Sequence, residues 1–413
     1  MLVLAGCSSS SGDDVGTPGD AEPETTTADD GPFDATFDAG DSAVVTDSTL
    51  EVGDTRDAIP SDTAVSDADV APIDPKVHVA YVGAGDGQIS LFAFDETTGA
   101  LTPKGKFAAG SNPSFLAFDV AHLRLFAVLD NIDSVASFSI EKGTGALTKL
   151  NAVPSVGGPT HLSLDRAATH VLVANYGAGT TNVFAVDADG TLGAVTDRKS
   201  PGALSHQIVA DPGNAFVFVP CKGSDWVAQY VYDASKGTLT ANATPHLTTA
   251  AGAGPRHLEL HPSGKYAYLI DENDSTMMAL AYDATKGTFT TLQTISTLPS
   301  GFDPSKNTAA EVHVAPSGRF VYGSNRGHDS IVVYAVDAAT GKLTLVGHTL
   351  TTGKTPRHFS LDESGAFLLV ANQGTSDVVV FRIDPGAGTL SKVSSTAIGA
   401  AAYFVGVASI PAK

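Results

Sequence analysis

Histidine, arginine and glutamate residues recur at corresponding points of this sequence, and their chemistry is that of proton transfer and anion binding. A histidine transfers protons near neutral pH. An arginine holds a carboxylate or a developing oxyanion, and a glutamate can fix either partner. The candidates are His206, His257, His313, His328, Arg256, Arg326, Arg357, Glu272 and Glu311, with Asn175, Tyr176 and Asn325 beside them. Sites built from such distant residues need a fold that gathers them.

The element that must position them is a repeat. Each copy ends in an acidic residue, a few small residues, glycine, any residue and then leucine or phenylalanine. The closing residues are Leu101, Leu147, Leu192, Leu239, Phe289, Leu343 and Leu390. Successive closing residues are 45–54 residues apart, and a period in this range with strand patterns inside it is typical of a β-propeller.

The fifth copy shows four strands and short turns most clearly. We predict strands at 257–260, 266–270, 277–282 and 289–295, which make one antiparallel blade. The first copy begins at 77–82, which matches a second strand, and the segment 403–408 matches a first strand. The sequence therefore predicts an all-β, seven-bladed propeller whose C-terminal strand completes the first blade and leaves no long free edge.

Blade topology separates the residues by face. The recurrent Asp, Gly and Ser hairpins lie on one face, and the irregular polar residues lie on the other, at first-strand starts and second-strand ends. All of the candidate residues are therefore expected to converge on one mouth of the central channel. A concave site with convergent polar groups is the default binding site of a propeller of this kind.

Several motifs at these positions resemble the seven-bladed lactonase propellers typified by bacterial 6-phosphogluconolactonase and fungal carboxymuconate cyclase. They are Gly254-Pro255-Arg256-His257, the segment 307–313 with Glu311 and His313, the segment 324–330 with Asn325, Arg326 and His328, Thr355-Pro356-Arg357-His358 and Asn175-Tyr176-Gly177. The likeness covers residues 77–413. It implies a lactone-opening hydrolase, or a related lactonising cyclase, acting on a small-molecule lactone.

The resemblance also implies roles. The proposed catalytic set of the family falls on His206, Arg256, Glu272 and Arg326. We expect His257, Glu311, His313, Asn325, His328, Arg357, Asn175 and Tyr176 to bind substrate. The family usually has two histidines, spaced by one residue, in the fourth blade, whereas Leu204-Ser205-His206 keeps the second alone.

Structural roles remain open for several of these residues. His206 could be a polar channel residue bonded to backbone, and Arg256 or Arg357 could brace two blades through Glu272 or Glu311. Asn325 could satisfy loop backbone groups. Glu272 could fix an arginine or orient His206. The His and Glu spacing matches the blade repeat and no metal-ligand motif, so we predict neither metal nor cofactor.

The N-terminal region differs from the rest. Leu4-Ala5-Gly6-Cys7 is typical of a bacterial lipoprotein cleavage box, so residues 1–7 are expected to be a truncated lipoprotein signal with Cys7 lipidated. Residues 8–75 are predicted to be a disordered acidic tether and residues 76–413 the propeller. Residues 1–75 contain 18 Asp or Glu and one Arg, so they carry −17 of the net charge of −21.

These features limit the partners. The rest of the chain carries a net charge of −4, so nucleic acid is not an expected partner. We expect a monomer held in the cell envelope by its lipid, with Ser8 favouring the outer membrane. Cys221 is expected to be a buried free thiol. The alternative to an enzyme is a non-catalytic, surface-anchored propeller that binds a ligand or protein at the same face.

Overall fold

The computed structural model describes residues 75–413, and these form seven sheets of four antiparallel strands with two short 3-10 helices at Asp130–Ile132 and Pro304–Lys306. The predicted all-β, seven-bladed propeller is confirmed. Within the described part of the chain, no helix has the length and apolar character needed to cross a bilayer. Residues 1–74, with the predicted lipidation site Cys7 and almost all of the predicted tether, lie outside the described residues.

The strands are numbered along the chain, and each blade is given from its innermost strand outward. Blade 1 consists of β28 (Ala402–Pro411), β1 (Lys76–Ala84), β2 (Gln88–Phe94) and β3 (Leu101–Ala108). Blade 2 consists of β4 (Pro113–Asp119), β5 (Arg124–Leu129), β6 (Ser134–Ile140) and β7 (Leu147–Pro154). Blade 3 consists of β8 (Pro159–Leu164), β9 (His170–Asn175), β10 (Thr180–Val186) and β11 (Leu192–Lys199).

The remaining blades have the same order. Blade 4 consists of β12 (Val209–Ala210), β13 (Phe216–Cys221), β14 (Trp226–Asp233) and β15 (Thr238–Thr248). Blade 5 consists of β16 (Pro255–Leu260), β17 (Tyr266–Asp271), β18 (Thr276–Asp283) and β19 (Thr288–Ser296). Blade 6 consists of β20 (Thr308–Val314), β21 (Phe320–Arg326), β22 (Ser330–Val336) and β23 (Leu343–Leu350). Blade 7 consists of β24 (Pro356–Leu361), β25 (Phe367–Asn372), β26 (Asp377–Ile383) and β27 (Leu390–Ala397).

The ring closes as the sequence predicts. The C-terminal strand β28 pairs antiparallel with β1, from Lys76 opposite Pro411 to Ala84 opposite Ala402. The last strand in the chain therefore completes the first blade. Since backbone groups of β1 that would otherwise be exposed are paired in this way, no long free edge remains there.

The apolar core is divided into seven clusters, and each lies between two neighbouring blades. Between blades 1 and 2, for example, Tyr81 and Leu91 of one blade pack against Leu125 and Phe138 of the other. Equivalent clusters lie at the other interfaces around the ring. Because each blade buries both of its faces, its second strand is a continuous apolar run rather than an alternating one.

The glycine of the repeated turn accepts a hydrogen bond across several of these interfaces. The hydroxyl group of Tyr81 donates to the carbonyl oxygen of Gly145 in the next blade at 2.8 Å. The Tyr268 and Tyr322 hydroxyls make the same bond to later repeat glycines. Gly145 has φ +76°, and a Cβ there would lie 3.1 Å from the Tyr81 hydroxyl. The glycine therefore permits both the left-handed turn and the close approach of the tyrosine.

Candidate functional site

A central pocket is formed by side chains from every blade. The innermost strands of neighbouring blades contact one another around the axis of the ring. The pocket lies at the starts of these strands. Its lining residues are Ser114, Phe115, Thr160, His206, Arg256, His257, Glu311, Arg357, His358 and Tyr403. One residue or two from each of the seven blades therefore meet at a single place on the axis.

β-Bulges turn four of these side chains toward the axis. In blades 2, 3, 5 and 7 the register of the innermost strand shifts by one residue directly after its first proline. The residues left without a partner are Ser114, Thr160, Arg256 and Arg357, and all four line the pocket. A bulge re-aims the side chain of its extra residue. A Pro-x-His or Pro-x-Phe sequence occurs at the start of each of these four strands and coincides with the bulge.

Glu272 holds a cluster of three cations beside the pocket. Its Oε2 lies 3.2 Å from Nε of Arg256, and its Oε1 lies 3.2 Å from a terminal nitrogen of Arg326 and 2.6 Å from Nζ of Lys222. Burial alone would raise the pKa of Glu272, but Arg256 and Arg326 outweigh it and lower the pKa to about 2. Glu272 is therefore an anion that fixes two of the predicted catalytic arginines.

Arg256 and Arg326 are also tied to backbone. Arg256 donates to the carbonyl oxygen of Ala310 at 2.6 Å, and Arg326 donates to that of Ala309 at 2.9 Å. Burial and the nearby Arg326 lower the pKa of Arg256 to about 9, so Arg256 is still a cation at neutral pH. Arg256 thus joins blades 5 and 6 through the Ala310 carbonyl oxygen rather than through a carboxylate, and it lines the pocket as well.

Two histidines and a glutamate form a chain of short contacts in the pocket. Nδ1 of His206 lies 3.2 Å from Nε2 of His257, and Nδ1 of His257 lies 2.7 Å from Oε1 of Glu311. All three residues are buried. Burial, followed by the positive charge of Arg256, lowers the pKa of both imidazoles well below 6.5. Both rings are therefore neutral at physiological pH. Glu272 was suggested to orient His206, but the side chain that contacts His206 is His257.

Arg357 differs from the other two arginines. Its guanidinium group lies 5.7 Å from the ring centroid of Tyr403, and it has no hydrogen bond or ion pair with any of residues 75–413. Arg256, Arg326, Arg357 and Lys222 lie around the pocket with the carboxylates Glu272 and Glu311, and Asp130 favours the charged form of Arg357 from a greater distance. The local charge therefore favours an anion or a developing oxyanion.

An aromatic floor separates the pocket from a second cavity. The Phe115 ring lies 4.1 Å from that of His161 and 5.0 Å from that of Phe404, measured between centroids. Phe115 and Glu311 line both spaces, while His313 lines the second cavity alone. His313 was expected to bind substrate, and the structure places it on the far side of this floor.

Three residues at this floor are close enough together to be considered as ligands of a metal ion. Glu311, His313 and His358 each present one ligand atom within 4.8 Å of the others. Burial would lower the pKa of His313, but its 2.6 Å ion pair with Glu259 raises it to about 9, so both ring nitrogens carry hydrogen. The Val405 amide donates to Nδ1 of His358 at 3.5 Å, which assigns the proton of that ring to Nε2. These bonds favour protons rather than a metal here.

Four predicted substrate-binding residues besides His313 do not line the pocket. Asn175 is buried against the Ser155 hydroxyl at 2.8 Å, and Asn325 accepts from Thr297 at 2.7 Å, so both satisfy loop groups. His328 lies in a separate surface cleft between blades 6 and 7. Tyr176 is closer, because its ring centroid lies 5.5 Å from that of His206.

Sequence reasoning missed several lining residues. Ser114, Phe115 and Tyr403 line the pocket, and Lys222 pairs with Glu272. The Pro-x-His or Pro-x-Phe pattern could have identified Ser114, and the position of Lys222 directly after a second strand matches that of Glu272. Cys221 is completely buried and its pKa is raised to about 12 by burial, as expected for a structural thiol.

Sequence comparisons identify similar proteins. A family described as "Lactonase, 7-bladed beta-propeller" matches residues 78–406. A 6-phosphogluconolactonase of Bacillus subtilis is 34% identical over 302 residues, which are 69% of this chain and 85% of that protein. A 6-phosphogluconolactonase of Pectobacterium carotovorum is 30% identical over 298 residues, covering 71% and 83%.

Solved structures are similar as well. The periplasmic gluconolactonase PpgL of Pseudomonas aeruginosa has a TM-score of 0.75 and 29% identity, covering 82% of this chain and all of that one. A structure described as a putative 6-phosphogluconolactonase of Bacteroides fragilis has a TM-score of 0.74 and 26% identity, with the same coverage.

Proposed function

Because the chain belongs to the seven-bladed lactonase propellers, it is assigned a lactonase function, and we propose that it opens its lactone by acid–base catalysis at the central pocket. The observation that carries this proposal is the shared location of His206, Arg256 and Arg357 in one pocket. A neutral imidazole next to two guanidinium groups combines a base with charge stabilisation. These are the two requirements for attack of water on an ester carbonyl.

The reaction can be traced atom by atom. Nε2 of His206 accepts a proton from water as the water oxygen attacks the lactone carbonyl carbon. Arg256 and Arg357 stabilise the oxyanion, at about 2.7–4 kcal/mol for one well-placed donor. When the ring C–O bond breaks, the His206 imidazolium returns the proton to the departing alkoxide. The product is a hydroxy acid, which releases its carboxyl proton to solvent.

We propose an aldonolactone or a carboxylated lactone as the substrate. Arg357 makes no ion pair among residues 75–413, so it would accept an anionic substituent, and the positive pocket would attract one. The similarity to a periplasmic gluconolactonase supports a lactone without phosphate. A pocket that only bound such compounds without opening them would be the non-catalytic alternative.

The test is a panel of lactones assayed by proton release. Purified protein should open at least one aldonolactone or carboxylated lactone, and His206→Ala and Arg256→Ala should each reduce kcat at least 100-fold. Asp119→Asn, a change at the end of β4 away from the pocket, is the control and should keep the wild-type rate. Turnover that persists in both pocket variants would refute the assignment.

We also propose that the protein is a lipoprotein of the cell envelope. The support is the Leu4-Ala5-Gly6-Cys7 box and the periplasmic location named for the Pseudomonas relative. When the protein is expressed with a full signal peptide, Cys7→Ser should release it from the membrane fraction and abolish labelling with palmitate. Equal membrane retention of both forms would exclude the anchor.

A further inference from the structure

We infer that Glu311 and His257 act as positioning residues that set the protonation of His206, so that its Nε2 carries the lone pair used as the base. This inference rests on the proposed lactonase function, which requires an unprotonated nitrogen in the pocket. Neither Glu311 nor His257 would then serve mainly to hold substrate, the role expected for them from the sequence.

The direction of the hydrogen-bonded chain is set at the carboxylate. Oε1 of Glu311 accepts a hydrogen bond from the backbone amide of Val312 at 3.3 Å. A carboxylate oxygen carries no hydrogen, so it accepts from its other neighbour as well. The contact of 2.7 Å with His257 therefore places the hydrogen on Nδ1 of His257.

The proton on Nδ1 of His257 fixes the tautomer of His206. A neutral imidazole has one hydrogen, so Nε2 of His257 is left with a lone pair. That lone pair faces Nδ1 of His206 at 3.2 Å, and the contact is a hydrogen bond only if Nδ1 of His206 carries the hydrogen. Nε2 of His206 is then unprotonated, and it has no hydrogen-bond partner among residues 75–413.

Neutrality of both rings supports this assignment. Burial and Arg256 disfavour the imidazolium form of each, so each ring carries a single proton. The rings are also held in place. The His206 amide donates to the Pro220 carbonyl oxygen at 2.9 Å, and the Tyr176 ring packs against the imidazole. The orientation of His206 is therefore fixed from the backbone and from two sides of the ring.

The chain of contacts also acts during the reaction. When Nε2 of His206 takes a proton from water, the ring becomes a cation whose Nδ1–H points at His257. Positive charge is then balanced through His257 by the Glu311 carboxylate, in the way that an aspartate supports the histidine of a catalytic triad. No proton needs to leave the chain, because His206 returns the same proton to the alkoxide.

The first experiment uses the wild-type full chain. Two-bond ¹⁵N–¹H spectra of histidine-labelled protein at pH 7 report which ring nitrogen carries hydrogen, and His206→Gln and His257→Gln assign the two signals. We expect hydrogen on Nδ1 of both rings. A hydrogen on Nε2 of His206 would overturn the inference, whatever the activity of the protein.

The second experiment is Glu311→Gln. We expect kcat to fall about 10²- to 10⁴-fold with KM nearly unchanged, because the neutral amide oxygen still accepts from Nδ1–H of His257 but cannot balance the charge of the His206 imidazolium. The control is Asp119→Asn, because Asp119 and His122 form a similar carboxylate–histidine pair at 2.8 Å outside the pocket. A wild-type kcat in Glu311→Gln would sink the proposal.

The two proposals can fail separately. If the wild type opens no lactone but shows Nδ1–H on both rings, the lactonase mechanism fails while the proton arrangement holds. If lactones are opened and Glu311→Gln keeps its rate, the lactonase function stands and the positioning role of Glu311 is wrong.

Discussion

Nε of Arg256 lies 3.2 Å from Oε2 of Glu272, and both side chains are almost completely buried. The pair joins the start of β16 to the end of β17, within one blade. Through its other oxygen, Glu272 reaches Arg326 of the next blade and Lys222 of the previous one. A single carboxylate therefore fixes the cationic side of the pocket across three blades.

Removing that carboxylate should harm both stability and catalysis. Glu272→Gln leaves three buried or half-buried cations without their shared anion, and breaking such a pair costs about 3–5 kcal/mol. We expect the urea midpoint to fall and kcat to drop, because Arg256 loses its fixed orientation. Glu363→Gln is the control, since Glu363 and Lys76 form an exposed contact of 3.8 Å. Equal midpoints for both variants would contradict the role of Glu272.

The rate should tolerate mild acid. The pKa of His206 is lowered well below 6.5 by burial first and by Arg256 second. A base works in its unprotonated form, so kcat/KM should hold as the pH falls through 6.5 and decline only below it. Glu272, with a pKa of about 2, stays ionised over that range. An acid limb at or above pH 6.5 in the kcat/KM profile would show that His206 is not the base.

Arg357 should discriminate between substrates by charge. Arg357→Ala is expected to lower kcat/KM for a carboxylated lactone about 10- to 100-fold more than for a neutral aldonolactone, the range for a lost charged hydrogen bond. The matched control is Arg382→Ala. Arg382 also lies over an aromatic ring, that of Phe367 at 4.6 Å, but on the exposed side of blade 7. An equal loss on both substrates would assign Arg357 to the oxyanion alone.

Much of the fold could be predicted from the sequence because blades repeat. The Asp-to-Gly turns, the closing leucines and the unpaired strand at 77–82 together predict seven blades and the pairing of β28 with β1. Local turn chemistry and apolar runs determine these features. They depend little on contacts between distant residues.

For the site, the sequence predicts which strand starts and strand ends lie near the channel mouth, but not how their side chains are oriented. The position of Arg256 at a first-strand start is contained in the repeat, but the bulge that turns it inward depends on register. Asn175 and Asn325 occupy corresponding positions, yet their side chains turn to Ser155 and Thr297. The contact of His257 with Glu311 joins residues 54 apart. The spacing of the repeats does not predict which way a side chain points or which residue of another blade it contacts.

Asp271 should make stability depend on pH. Burial raises its pKa to about 8 in the folded chain, against 3.8 as the ordinary value. The folded state therefore binds more protons than the unfolded state between these values, and stability falls as the pH rises from about 4 to 8. Asp271→Asn cannot ionise, so it should be more stable at pH 8 by about 1–3 kcal/mol. Denaturation at pH 5 and pH 8 measures this, and an unchanged pH slope would contradict it.

The closing strand should support both the ring and the pocket. Phe404 of β28 is buried, and its ring centroid lies 5.0 Å from that of Phe115 and 4.2 Å from that of His358. Phe404→Ala should cost about 3–5 kcal/mol, the range for a buried phenylalanine. It should also lower kcat, because Phe115 and His358 would lose the ring that supports them.

The comparison for that variant is Val393→Ala. Val393 lies on the outer strand β27 and is 38% exposed, so its truncation should cost far less. Deleting residues 402–413 is the stronger change, because it leaves β1 unpaired along one side and should give an aggregating protein. Urea unfolding and size-exclusion chromatography measure both effects. A truncated chain that remained monomeric and cooperative would show that the ring is stable without β28, since six complete blades would then hold the seventh.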